Sequence, residues 1–204
     1  MISTEFLITS LIVVLLPGTG VIYTISVGLF QNARASVFAA LGCTAGIIPS
    51  LLACILGLAA VIHTSALLFQ IIKFVGVAYL LYLAWGMWKE TGGLVLDDNG
   101  ERASMLAIGT KGFLINILNP KLSVFFLAFL PQFVPAQAAS PLINMFVLGV
   151  VFMAMTLFVF IFYGLLANSV STYVVGYPKI MKYVQRTFSV TFVMLGAKLA
   201  FAER

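Results

Sequence analysis

Asn119-Pro120-Lys121 sets three chemically distinct groups side by side within an otherwise apolar stretch. Asn is a favoured helix N-cap and Pro a favoured first helical residue, so a half-helix can begin there. Its free N–H groups and positive dipole end would lie beside the Lys121 ammonium, which together make a receptor for a carboxylate. A second apolar stretch carries Pro17-Gly18-Thr19-Gly20. Proline donates no backbone hydrogen bond, so Pro17 tends to free the carbonyl of Val13 and Pro120 that of Asn116. Gly18 and Gly20 allow a sharp turn and let backbone approach a ligand closely. Freed carbonyls accept hydrogen bonds from an ammonium. One break attracting a carboxylate and another offering acceptors suit a zwitterion such as an amino acid, with Asn116 orienting it. The alternative is a pair of ordinary proline kinks satisfied by nearby Ser and Thr, with Lys121 bound to a freed carbonyl or a lipid phosphate.

The elements that must position these groups are membrane spans. The chain of 204 residues is 62% hydrophobic and 8% charged, against about 25% charged in soluble domains. Apolar runs lie at about residues 5–30, 37–62, 66–88, 112–130, 142–168 and 187–203, most near the ~20 residues a spanning helix needs. Period-two alternation is absent, so an all-α integral membrane protein with six transmembrane helices is expected rather than a barrel. The one sizeable hydrophilic stretch, Lys89 to Lys111, includes Gly92-Gly93 and Asp97-Asp98-Asn99-Gly100 and reads as a loop. It leaves a single transmembrane domain over 1–204, with half-repeats of about 1–90 and 111–204 around a loop at 91–110. Three spans per half means the halves enter the membrane from opposite sides, the arithmetic of a 3+3 inverted repeat with helices 1 and 4 interrupted at proline. Paired interrupted segments also point to a secondary transporter's binding site.

The net charge of +5 is topological and gives no reason to expect nucleic acid. Arg34, Lys89, Arg102, Lys111, Lys179, Lys182 and Arg186 fall in or beside odd-numbered loops, whereas the second and fourth loops hold no Lys or Arg. By the positive-inside rule both termini are periplasmic. Met1 to Glu5 lacks the positive charge of a signal peptide, so the first run reads as a retained span. Lys73 lies in the outer third of span three, where snorkelling and a place on the substrate path are equally supported. Gly42 to Gly46 forms a small-residue face suited to close helix packing inside the bundle, and Pro49 can bend the same helix. Cys43 and Cys54, about three turns apart, cannot pair and read as packing residues. No carboxylate occurs between Glu5 and Glu90 or between Glu101 and Glu203, which disfavours a cation exporter. No nucleophile elbow, paired-histidine motif or phosphate loop is present, so neither an enzyme nor a metal or cofactor site is expected.

These residues resemble the LysE/RhtB family of small amino-acid exporters over the full chain. Pro17-Gly18-Thr19-Gly20 is similar to the family's Pro-Gly-Pro-Gly-type break, and Lys73 to Leu80 to its Lys-x-x-Gly-x-x-Tyr-Leu signature. Asn116 to Lys121, then Phe125-Phe126 and Pro131-Gln132-Phe133, match a third stretch. The resemblance implies proton-driven efflux of an amino acid or derivative, of the homoserine, threonine, leucine or homoserine lactone class, across the bacterial inner membrane. It also implies that the breaks of both halves meet at the transport site. Thr19 replaces the usual second proline. Thr156 stands where many relatives have Asp, so coupling would have to use Glu5 or a lysine of depressed pKa such as Lys121. The expected partners are that small molecule, protons and the lipid bilayer, with a homo-oligomer left open. Alternatives from other classes are a non-transport scaffold, a membrane-embedded enzyme and an ion or metal permease.

Overall fold

In a computed structural model the structure describes residues 2–15, 18–62, 66–89, 104–119, 122, 126, 129–134 and 140–167, with positions 183, 186, 189, 190, 193, 194, 197 and 200. Among the described residues all regular structure is helical and no strand occurs. Helix α1 spans Thr4–Leu15 and α2 Thr19–Phe30. Ser3 opens α1, its hydroxyl accepting the Phe6 N–H at 3.2 Å. Phe6, Ser10, Val13 and Val14 recur at helical spacing and form its buried face. Gly18 then takes an extended conformation (φ −102°, ψ 179°) ahead of α2, and the two helix axes are inclined by 55°. Together they are long and apolar enough to form one bent span. Leu16 and Pro17 lie outside the described residues.

Asn32 starts α3 (Ala33–Ala45) by accepting the Ala35 N–H at 2.9 Å. Helix α4 (Ile48–Ile62) follows after Gly46 and Ile47. Pro49 lies in its first turn and has no N–H for the Ala45 carbonyl, the residue at which α3 ends. The interruption leaves one long unit, because Ala33–Gly57 qualifies by length and composition as a membrane-crossing helix. Helix α5 (Ala66–Lys89) is 24 residues long, about 36 Å at 1.5 Å per residue.

Helix α6 (Met105–Ile117) begins inside the stretch expected to be loop as far as residue 110. The Ser104 hydroxyl accepts the Ala107 N–H at 3.2 Å, and this cap starts the helix seven residues ahead of the apolar run. Beyond Ile117 the Asn119 N–H reaches back to the Asn116 carbonyl at 3.1 Å, a tightened final turn. Leu122, Phe126 and Phe129 have helical geometry, and a 3₁₀ turn covers Leu130–Phe133. Helix α7 (Pro141–Leu165) opens on a proline, whose fixed φ suits the first turn, and is the second clear membrane-crossing helix. The described positions from 183 to 200 are helical and dock on α5, where the Ser189 hydroxyl donates to the Ala84 carbonyl at 2.6 Å.

Helix α3 is the centre of the bundle, packed against α2, α6 and α7. Small residues make this arrangement accessible. A Cβ added at Gly42 would collide with the Gly109 backbone, one at Gly46 would lie 2.5 Å from the Phe113 carbonyl oxygen, and one at Gly112 2.9 Å from that of Ala39. The α3 and α6 backbones therefore touch, as the small-residue face predicts, and they do so within one chain. Phe126, Phe129 and Phe152 fill the interior beside them, with Phe126 and Phe152 edge to face at 5.1 Å.

Gly42→Ala should destabilise the detergent-solubilised protein by about 1–3 kcal/mol through overpacking. Gly57, where an added methyl meets nothing within 4 Å, serves as the comparison. Equal thermal midpoints for the Gly42→Ala and Gly57→Ala variants would contradict the close α3–α6 contact.

Candidate functional site

The interrupted end of α3 determines the chemistry at the centre of the molecule. The Ile47 N–H bonds the Thr44 carbonyl at 3.0 Å, three residues back, instead of the Cys43 carbonyl four back. The Cys43 carbonyl is therefore without its helical partner in an apolar interior, where an unpaired acceptor costs about 1–3 kcal/mol. Asn116 supplies the replacement. Its Nδ2 donates to the Cys43 oxygen at 2.7 Å, and the side chain is buried.

The same asparagine faces the start of α2. A Cβ placed on Gly20 would lie 3.0 Å from Asn116 Oδ1 and 2.9 Å from Phe160 Cε2 on α7. Only a residue without a side chain lets the α2 backbone come this close to both. The Gly20 carbonyl accepts from the Thr24 hydroxyl at 2.8 Å, with the Cys43 thiol 3.9 Å away. Three helix ends thus converge: the N-terminal turn of α2, the C-terminal end of α3 and the last turn of α6.

Of the residues singled out from the sequence, Gly20 and Asn116 are brought together here. Gly18 is the extended residue two positions before Gly20, and Asn119 closes the turn that begins at Asn116. Thr156 is buried on α7 one turn before Phe160, its hydroxyl donating to the Phe152 carbonyl at 2.9 Å. Glu5 is exposed in the first turn of α1, away from this junction. Lys73 belongs to α5, with its side chain outside the described residues; Pro17, Pro120 and Lys121 also lie outside them. Among the described residues no three His, Cys, Asp or Glu side chains cluster to hold a metal ion.

Three polar side chains of the interior lie outside the set singled out from the sequence. The Tyr163 hydroxyl on α7 donates to the carbonyl of Leu15, the last residue of α1, at 3.2 Å. A tyrosine in so apolar a helix was the available signal, since its polar tip needs a partner. Ser10 on α1 and Thr44 on α3 are buried hydroxyls with no hydrogen-bond partner among the described residues. Thr44 directly follows the residue that Asn116 caps, so an uncommitted donor sits at this junction. The Thr24 and Thr156 hydroxyls, by contrast, bond back to their own helices.

The family model described as LysE type translocator matches residues 11–203. An uncharacterized membrane protein of Vibrio cholerae is 32% identical over 199 residues, covering 97% of this chain and 96% of the relative. A homoserine/homoserine lactone efflux protein of Salmonella typhimurium is 30% identical, with 97% and 95% covered. A leucine efflux protein of Klebsiella pneumoniae is 25% identical, with 96% and 92% covered. No solved structure matches.

Asn116→Ala should lower stability by about 1–3 kcal/mol, because it leaves the Cys43 carbonyl buried and unpaired. Tyr163→Phe should lower it by only about 0.5–1.5 kcal/mol, the net worth of one neutral hydrogen bond at a more accessible site. Thermal unfolding in a single detergent ranks the two, and a larger loss for Tyr163→Phe would reverse their assigned weights.

Proposed function

Because the chain belongs to the LysE type translocator family, we propose that it exports a small amino acid or amino-acid derivative across the bacterial inner membrane. The observation that carries this reading is similarity along nearly the whole length to proteins named for homoserine, homoserine lactone and leucine efflux. Chemically, the convergence of Gly20 with Asn116 supports a binding site between the two halves of the chain. A substrate ammonium would be received by acceptors of the first break, Pro17 to Gly20. Asn119, Pro120 and Lys121 would receive the carboxylate, through half-helix N–H groups and the lysine charge.

In this reading the two interrupted spans are the corresponding first helices of an inverted repeat, with both termini periplasmic. Transport proceeds by one set of helices rocking against the other around the midplane. The 55° inclination between α1 and α2 supports an articulated first span. The proton gradient supplies the driving force. With Thr156 uncharged, coupling falls to Glu5 or Lys121, and Lys73 lines the path. The protein performs no covalent chemistry in this scheme.

Lys121→Ala and Asn119→Ala, inserted at parental levels, should each reduce efflux from substrate-loaded proteoliposomes. For Lys121 the expected loss is roughly tenfold to a hundredfold, corresponding to about 1.5–3 kcal/mol for a charge-assisted hydrogen bond. Efflux of homoserine and leucine at the parental rate by both variants would exclude this site. Efflux unchanged after collapse of the proton gradient would exclude the driving force.

A further inference from the structure

Two cations at one end of the bundle lie over indole rings, and among the described residues no hydrogen bond takes up their N–H donors. Lys89, the last residue of α5, places Nζ 4.7 Å from the centre of the Trp85 ring. Arg186 places its guanidinium carbon 5.0 Å from the centre of the Trp88 ring. Trp85 and Trp88 are three residues apart on α5 and thus neighbours on its surface. The Ser189–Ala84 hydrogen bond fixes the adjoining segment against the same helix. An indole face attracts and orients a cation but accepts few of its N–H donors, of which lysine has three and arginine five. Among the described residues neither Lys89 nor Arg186 is paired with a carboxylate.

The surface around them is amphipathic. Trp85 is 61% and Trp88 49% exposed, and both cations are exposed beside them. Antiparallel register follows from Arg186 meeting Trp88 and Ser189 meeting Ala84, which puts Val193 about half a helical turn from the level of Tyr82. Both of those residues are exposed apolar surface. A polar, positively charged end therefore continues into an apolar stripe along the two helices. Indoles favour the headgroup level of a bilayer, and basic residues there attract anionic lipid.

We propose that Lys89 and Arg186, oriented by Trp85 and Trp88, clamp the phosphodiester of an anionic phospholipid whose acyl chain lies along Tyr82 and Val193. The phosphate oxygens take the N–H donors that the indoles leave free, and the apolar stripe provides what a free phosphate could not use. The site is independent of the transport reading, since it lies on the outer surface and is read out by lipid retention rather than flux.

The test reconstitutes the full chain in vesicles of equal parts phosphatidylglycerol and phosphatidylcholine, then counts retained lipids by native mass spectrometry. The parental protein should retain phosphatidylglycerol preferentially. Lys89→Gln and Arg186→Gln should each reduce that enrichment by about fivefold, while Arg186→Lys and the exposed-cation control Arg34→Gln should preserve it. Equal retention of the two lipids by the parental protein would overturn the proposal, as would an equal loss in Arg34→Gln. Displacement of the retained lipid by inorganic phosphate at matched ionic strength would show a simple anion site and refute the lipid clamp.

Discussion

The hydrogen bond from Asn116 to the Cys43 carbonyl is the interaction on which the interior depends. In a bilayer, a backbone group that leaves its helix has no water to turn to. Pro49 and the tightened turn at Ile47 take α3 out of regular helix while its carbonyls still point into an apolar core. One amide from α6 resolves the conflict. Through that amide the end of one helix becomes dependent on the exact placement of another.

Close backbone packing makes the bond reachable. A side-chain amide extends only a few ångströms, so α6 must lie almost against α3 for Asn116 to reach its target. Gly42, Gly46 and Gly112 permit this by removing the Cβ atoms that would hold the helices apart. Gly20 repeats the device on α2, where its missing side chain admits both Asn116 and Phe160. The glycines act as spacers of zero thickness around a polar centre, and the aromatic residues fill the volume beyond it.

A second such repair occurs at the end of α1, where Tyr163 bonds the Leu15 carbonyl. In both cases the broken backbone belongs to the first half of the chain and the repairing side chain to the second. Any motion that separates the halves must exchange these two bonds for others, and the uncommitted Thr44 hydroxyl lies beside one of them. Hydrogen bonds that are individually modest can thereby hold one arrangement without making it permanent.

The amino-acid sequence by itself determined that the chain is a membrane-embedded helical protein, because long apolar runs with few charges have no other stable environment. It also marked Pro49 as a place where the second apolar run could bend, since the loss of a backbone N–H is local and covalent; the interruptions expected at Pro17 and Pro120 fall on residues outside those described. The small-residue face at Gly42 to Gly46 was likewise legible. The start of α6 at Met105 was not, because Ser104 caps through a hydroxyl that hydropathy ignores. Only the tertiary structure decided that Asn116 serves Cys43, that it meets Gly20, and that Tyr163 serves Leu15. Each of these pairings spans dozens of residues or more, and nothing local in the sequence selects which of several polar side chains reaches which freed carbonyl. That choice follows from how closely the helices can pack.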